Sequence, residues 1–344
     1  MTRVLCLNKD GKISYKDEDE NCQNFMCELC QGSQTNEEFI QKANLIICEK
    51  SIQNALQSLN SKDLYALEGV QDKVWLNNNN AIVKWDAYNE ATGIQYNALA
   101  EELSCIILNH SNIEHANYQC VANMLDINGN KRPVVISKNF LSNNDSFSSF
   151  GCFLNAEEAK KYTRDSIIAG SLEGSLLSIS EIISSKTRVS QNDIINHFIK
   201  TIYTDMILMN PDRHLGNVGF IVHQYDPQLI SKPTYDFAPI FDNGLALFAC
   251  ENYDVVNRDN YEMYLNTVSP TTFGSFSFDE YKDLCLSYTN KHNIVRLNIS
   301  EIEKELECYS NSLYSDKLVS RIIDILLMHL YCNENELYID DPSI

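Results

Sequence analysis

Asn210-Pro211-Asp212-Arg213-His214-Leu215-Gly216-Asn217, with Phe241-Asp242-Asn243-Gly244 downstream, decides how this chain folds and what it is built to do. The two segments supply an aspartate, an asparagine five residues on and a second aspartate after an apolar, strand-like run. Phosphoryl transfer uses three such groups. One carboxylate receives or orients the proton of the attacking hydroxyl, while an amide oxygen and a second carboxylate hold magnesium against nucleotide phosphates. Asn-Pro-Asp is also a common turn. The composite with His214, two strand-like flanks and the Asp242-Asn243-Gly244 turn is far more specific than the spacing alone.

Outward from this stretch, Ser190-Gln191-Asn192-Asp193 reads as a helix start. Ile194, Phe198, Ile202 and Met206 then form one face of a long helix running into the Asp212 loop. Asp205, near its end, is placed to support that loop. Asp212 and Asn217 carry the offset found in protein-kinase catalytic loops, with Asp212 as the proton acceptor and Asn217 as a metal ligand. His214 belongs to the same catalytic loop as its organiser, since Asp212 already fills the role of base. Arg213 either supports the loop or meets a phosphate on an activation segment. Gly216 and Gly219 suit close backbone packing. Val218–Val222 and Pro239–Phe241 read as short strands flanking an enlarged hairpin that contains His223, Lys232, Pro233 and Thr234-Tyr235-Asp236. Asp236 is a rival to Asp242 as the second metal ligand. Asp242 is preferred because it follows Ile240 and Phe241 and precedes a glycine.

The rest of the chain divides into three regions. Residues 1–60 form an N-terminal extension, mostly helical, with a capping start at Thr35–Glu38. Residues 61–140 have the texture of strands and turns. Val74-Trp75-Leu76 and Ala81-Ile82-Val83-Lys84-Trp85 flank four asparagines, Asn77 to Asn80, a hairpin signal. Tyr96 to Asn109 carries the apolar stripe Leu99, Leu103, Ile106 and Ile107 of a helix, and Val134–Lys138 is a further strand. Residues 141–344 are mostly helical after a loop at Ser142–Ser146, with helices over Ala156–Tyr162, Ile167–Ile183, Phe278–Tyr288, Ile299–Leu313 and Lys317–Tyr331. The fold class expected is α+β: a bilobal, protein-kinase-like architecture with a small β-rich N-lobe bearing one helix and a larger, mostly helical C-lobe.

Asp212-Arg213-His214-Leu215-Gly216-Asn217-Val218-Gly219-Phe220, followed by Ala238-Pro239-Ile240-Phe241-Asp242-Asn243-Gly244, resembles the HipA-like and CtkA-like bacterial serine/threonine kinases. The large lobe is also similar to that of phosphatidylinositol kinases, which share the DRHxxN pattern. The resemblance implies a bound ATP with Mg2+, a magnesium site made by Asn217 and Asp242, and a phosphate-covering segment at Gly69-Val70-Gln71-Asp72-Lys73, although GxGxxG is absent. Ala81-Ile82-Val83-Lys84 is close to VAIK, so Lys84 is the phosphate-binding lysine, with Lys73 as its rival. Glu101 matches the family's ion-pair glutamate. Glu102 points about a hundred degrees away on the helix, so only one of the two faces Lys84. A segment from Tyr253 to Ser269, rich in hydroxyl side chains, lies where an activation segment would be. The resemblance extends the expectation to autophosphorylation, with no site selected.

Composition narrows the partners. Among 344 residues, 47 acidic and 27 basic side chains give a formal net charge of −20. That opposes broad contact with nucleic-acid backbones or anionic bilayers, both of which need a basic face. The expected partner is therefore a protein substrate, with no nucleic acid and no stable membrane association. Two other activities share the motif: phosphoinositide (lipid) phosphorylation, and nucleotide binding without transfer, as in a pseudokinase or adaptor. The N-terminus turns polar too early for a signal peptide, so the cytoplasm is the expected location, or export as an effector without a cleavable signal. Of the 12 cysteines, Cys105, Cys120, Cys152, Cys250, Cys285, Cys308 and Cys332 read mostly as buried free thiols. Cys22, Cys27 and Cys30 cluster near the N-terminus; a structural zinc there would need a second ligand pair, for which Cys6 and Cys48 are the only nearby candidates, and ordinary reduced thiols are the expectation.

Overall fold

The computed structural model describes residues 3–7, 13–17, 72–76, 81–89, 93–126, 130–142, 145–160, 171–223, 233–249, 258–261, 265, 272–273, 276–290 and 293–344. Strands β1 (Arg3–Leu7) and β2 (Ile13–Asp17) pair antiparallel near the N-terminus, a hairpin that the sequence reading did not foresee. The expected helix from Thr35, the Gly69-Val70-Gln71 segment, Cys22, Cys27 and Cys30, and most of Tyr253–Ser269 lie outside the described residues.

A four-stranded antiparallel sheet carries the first half of the site. Its strands are β3 (Lys73–Leu76), β4 (Ala81–Trp85), β7 (Tyr118–Leu125) and β8 (Lys131–Lys138), in the order β3-β4-β8-β7. Leu76 faces Ala81, so β3 and β4 form the expected hairpin around the four asparagines. Pro133 sits inside β8, where a missing N–H would ordinarily break the ladder. It lies just past the last β4 pairing, Trp85 with Val134, and there its carbonyl accepts the Asp86 N–H at 3.0 Å. Between β4 and β7 come two short strands, β5 (Tyr88–Asn89) and β6 (Gly93–Ile94), and then helix α1 (Asn97–Asn109). The expected stripe Leu99, Leu103, Ile106 and Ile107 is buried.

A second sheet, in the order β11-β10-β9, joins β9 (Asp145–Ser149), β10 (Gly219–His223) and β11 (Thr234–Phe237). Asp145 and Ser146 are therefore strand rather than loop. The enlarged hairpin is present as β10 and β11, but its second strand ends at Phe237. Pro239 has no N–H to give to a ladder, and Ile240 makes only an isolated bridge, to His115. His223 and Asp236 pair across this sheet at 2.8 Å, and His223 also meets Asp145 at 3.0 Å. Asp236 is thus part of the sheet's outer polar face.

The remaining helices are α2 (Ala156–Lys160), α3 (Leu172–Thr187), α4 (Gln191–Ile207), α5 (Phe278–Tyr288), α6 (Ile299–Cys308) and α7 (Asp316–Cys332). Helix α5 opens with a capping box between Ser277 and Glu280. Helix α4 begins after Ser190 as expected, though the Ser190 side chain makes no capping bond. Helix α6 stops at Cys308 rather than Leu313, because Tyr309 turns extended and Asn311 Oδ1 takes the Leu313 N–H at 3.0 Å. Two short parallel strands, β12 (Arg296–Leu297) and β13 (Ile339–Asp340), tie the C-terminus back to the start of α6.

One apolar cluster joins these parts: Leu99 and Leu103 of α1, Ile179 and Ile183 of α3, Ile194, Phe198, Ile202 and Met206 of α4, and Leu326 of α7 are wholly buried in it. A helix buried on this scale can present a loop from a fixed base. Of the described cysteines, Cys105 and Cys285 are buried, but Cys152, Cys308 and Cys332 are exposed, contrary to the expectation of mostly buried thiols. Among the described residues no helix is long and apolar enough to cross a membrane. Nor does any group of three His, Cys, Asp or Glu side chains among them form a ready metal cluster.

Candidate active site

Lys84 is the centre of the arrangement. It lies on β4 directly opposite Lys73 of β3, and alternation along the strand turns Ile82 and Lys84 to the same side. Its Nζ donates to Glu101 Oε1 at 2.8 Å and to Asp242 Oδ1 at 2.6 Å. Burial works against the ammonium, yet Asp242 and then Glu101 outweigh it and raise the Lys84 pKa well above its usual value. Burial likewise opposes ionisation of Asp242, but the Lys84 charge and hydrogen bond prevail and bring its carboxyl down to about 2. Asp242 is therefore a standing carboxylate, about a third exposed at 34%. Glu101 is wholly buried. Its second oxygen accepts the Asn243 N–H at 2.9 Å, so one carboxylate links the lysine to the Asp-Asn-Gly turn. The Tyr118 hydroxyl, 3.4 Å from Nζ and from the Asp242 N–H, completes this group.

The second half of the site grows out of α4. Arg213 is fully buried and lies 3.0 Å from both oxygens of Asp205. Burial alone would lower the pKa of its guanidinium, but Asp205 reverses that and raises it. The same side chain donates to the carbonyls of Asn217 and Phe241 and to Asn243 Oδ1 at 2.7 Å. Arg213 thus stitches the Asp212–Asn217 loop to the Asp242 segment, which decides between its two expected roles in favour of support. Asn210 helps from below: its amide donates to Asp205 Oδ1 at 3.1 Å, and its oxygen accepts the Asp212 N–H at 3.1 Å. Asn217 closes the loop with its N–H on the His214 carbonyl at 2.9 Å. His214 is exposed, and its Nδ1 accepts the Gly216 N–H at 3.0 Å. A Cβ on Gly216 would fall 2.7 Å from the His214 ring, so a larger residue there would displace the ring from its bond to the Gly216 N–H.

Backbone strain concentrates here. Met209 (φ 50°), Asp242 (φ 64°), Leu247 (φ 53°) and Phe248 (φ 61°) all occupy the left-handed region, which costs non-glycine residues about 1–3 kcal/mol each. Specific contacts hold them: the Leu247 N–H donates to the Leu208 carbonyl at 3.0 Å, and the Tyr96 hydroxyl donates to the Phe248 carbonyl at 2.6 Å. Asn97, at the start of α1, adds a bond from its amide to the Gly244 carbonyl at 2.8 Å.

A cavity of about 430 Å³ opens beside these groups, lined by Lys73, Trp75, Ile82, Lys84, Ala116, Tyr118, Phe140, Leu141, Phe147, Phe241 and Asp242 among others. That volume lies in the range of small-molecule and cofactor sites. Phe140, Phe147 and Phe241 pack ring to ring at centroid distances of 5.3 to 6.4 Å, making an apolar wall. Lys73, Lys84 and Asp242 line the same cavity. An apolar cavity that also presents two lysines and a carboxylate suits an anionic cofactor with a divalent cation; Asp242, and Asn217 on the loop that Arg213 ties to it, carry oxygen donors of the kind that could hold such an ion.

Of the residues named from sequence, the structure joins Lys84, Glu101 and Asp242 directly, puts Lys73 in the same cavity, and ties the Asp212–Asn217 loop to them through Arg213. Glu102 faces elsewhere, as helix geometry required. Tyr118, Asn210, Asn243, Asn97 and Tyr96 escaped the sequence reading as parts of the site. All but Asn210, which acts on Asp205 and Asp212 close by, work across a long separation, and only the Asn-rich flanks of the two motifs gave any local sign of them.

No protein-family model matches the chain, nor does any curated protein sequence. Among solved structures, the chain is similar to the proinflammatory kinase CtkA of Helicobacter pylori, with a TM-score of 0.52 and 15% identity over 77% of this chain and 93% of that one. It also aligns with HipA of Shewanella oneidensis MR-1, solved with HipB and operator DNA, at a TM-score of 0.39 and 12% identity over 92% of this chain and 74% of that one. The first likeness establishes that the chain has the mixed α/β fold of a CtkA-like kinase. The second is too distant to add to it.

Proposed function

We propose that the chain is a phosphotransferase that moves the γ-phosphoryl group of ATP to a serine or threonine hydroxyl of a protein, with magnesium as the metal. The observation that carries this is the Lys84–Glu101–Asp242 cluster at the wall of an apolar cavity, tied by Arg213 to a loop bearing Asp212 and Asn217. In this reading the strands and helix up to about residue 140 form one wall of the cleft, and the helical remainder forms the other. Lys84 binds phosphate oxygens and, through Glu101, holds the angle between the walls. Asp242 and Asn217 hold the metal, which would neutralise charge on the phosphate oxygens. Asp212, half-buried on its turn, takes the proton of the incoming hydroxyl. Phe140, Phe147 and Phe241 keep water from the base end of the cleft. A protein acceptor is favoured over a lipid because a chain of net charge −20 is repelled from an anionic bilayer.

Incubation with labelled ATP, magnesium and generic protein substrates tests the proposal. Wild type transfers label, and Asp212→Asn lowers the rate by roughly 10²–10⁴-fold, the range for loss of a positioned base. Equal labelling by the two proteins would remove Asp212 from the chemistry.

A further inference from the structure

The loop between α6 and α7 reaches back to the two elements that carry Lys84 and Glu101. Glu102, the neighbour of Glu101 on α1, divides its carboxylate between two parts of the molecule. One oxygen accepts the Cys120 N–H of β7 at 3.0 Å; the other accepts the Tyr309 hydroxyl and, at 3.1 Å, the Asn311 amide. The Asn311 amide also lies 3.1 Å from the Tyr309 hydroxyl, so the two donors brace each other.

Asp86 repeats the pattern two residues beyond Lys84. One of its oxygens accepts the Ala98 N–H in the first turn of α1 at 2.6 Å, and the other accepts the Tyr314 hydroxyl at 2.6 Å. Asp86 is wholly buried. Both carboxylates therefore sit beside a residue of the Lys84–Glu101 pair, and both give one oxygen to the sheet or helix and the other to residues 309–314.

Carboxylates withdrawn from water, wholly at Asp86 and partly at Glu102, and served mainly by neutral donors are a poor source of stability, because desolvation opposes them. Their value lies in fixing position. Glu101 meets both Lys84 and the Asn243 N–H only at one rotation of α1, and one residue of slip would turn it away by about 100°. Hydrogen bonds at Ala98 and Glu102, one turn apart along α1, hold that rotation at two points.

We propose that Tyr309, Asn311 and Tyr314 are positioning residues, a clamp through which the α6–α7 loop sets the rotation of α1 and hence the Lys84–Glu101 pair. Its kinetic consequence rests on the phosphotransferase reading; its structural consequence does not.

The test combines Tyr309→Phe and Tyr314→Phe in one variant, which keeps both rings and removes only the hydroxyls. Hydrogen exchange over residues 98–104 is expected to speed up at least about tenfold, whether or not the protein turns over. Unchanged exchange there overturns the clamp. In the transfer assay, the variant is expected to lose about tenfold in kcat with the KM for ATP within about twofold. The same pair of substitutions placed in Glu101→Gln is expected to cause no further loss, since residues acting through one partner are non-additive. An equal loss in both backgrounds means the tyrosines act only on general stability and overturns the proposal. A wild type that exchanges as expected but transfers no phosphate would sink the phosphotransferase reading and leave the clamp standing.

Discussion

At the scale of single residues, the site depends on charges taken out of water and held by specific partners. Arg213 shows the logic most plainly. A fully buried guanidinium is tolerable only because Asp205 faces its Nε with both oxygens and three further acceptors take the other N–H groups. Removing it strands Asp205 without its counter-ion and unties Asn243 from the loop. Arg213→Leu is expected to lower unfolding stability by about 3–5 kcal/mol, the usual cost of an orphaned buried charge, as read from the urea midpoint. A change under about 1 kcal/mol would contradict the role given to it. Lys84, Glu101 and Asp242, which the structure brings together across 17 and 158 residues, could be picked out beforehand by the chemistry of their motifs rather than by nearness in the chain. Arg213 was only half legible: its position was plain, but its partners lie on other segments. Tyr118 was not legible at all, since an aromatic at the start of a strand reads as core until the fold brings it to a lysine 34 residues away.

Secondary-structure elements followed the hydrophobic patterns closely where burial alone set them. Helix α4 buries the face marked by Ile194, Phe198, Ile202 and Met206, and α1 buries its own stripe. The pattern was less informative where tertiary contacts end an element. Helix α6 stops at Cys308 because Tyr309 and Asn311 are drawn to Glu102, and β11 stops before Pro239. Strand β9 was hidden by a polar sequence, Asp145 to Ser149, whose backbone pairs with β10 from Gly219 to His223. That pairing is close at one point: a Cβ on Gly219 would stand 2.3 Å from the Ser148 carbonyl oxygen. Backbone cannot yield as a side-chain tip can. Gly219→Ala is therefore expected to force β9 away from β10 and to destabilise the fold by about 1–3 kcal/mol, the usual cost of overpacking, with faster hydrogen exchange at Phe147 and Ser149. Unchanged stability and exchange would show that the sheet has slack there.

For the whole molecule, the central point is that separate parts of one chain meet in a single charged cluster. Lys84 and Asp242 are 158 residues apart and lie 2.6 Å from each other, on the wall of a cavity sized for a cofactor. The expected mixture of strands and helices accords with the mixed α/β fold shared with the CtkA kinase. Under the proposed function, the formal net charge of −20 favours a protein acceptor over an anionic bilayer. What the cluster is for is decided most directly by mass spectrometry of the protein after incubation with ATP and magnesium, alone and with protein substrates, beside Asp242→Asn. Phosphoryl transfer predicts a gain of one or more phosphate groups on serine or threonine with wild type, abolished in Asp242→Asn and on removal of magnesium. No added phosphate on any protein, or the same addition with Asp242→Asn, would contradict it.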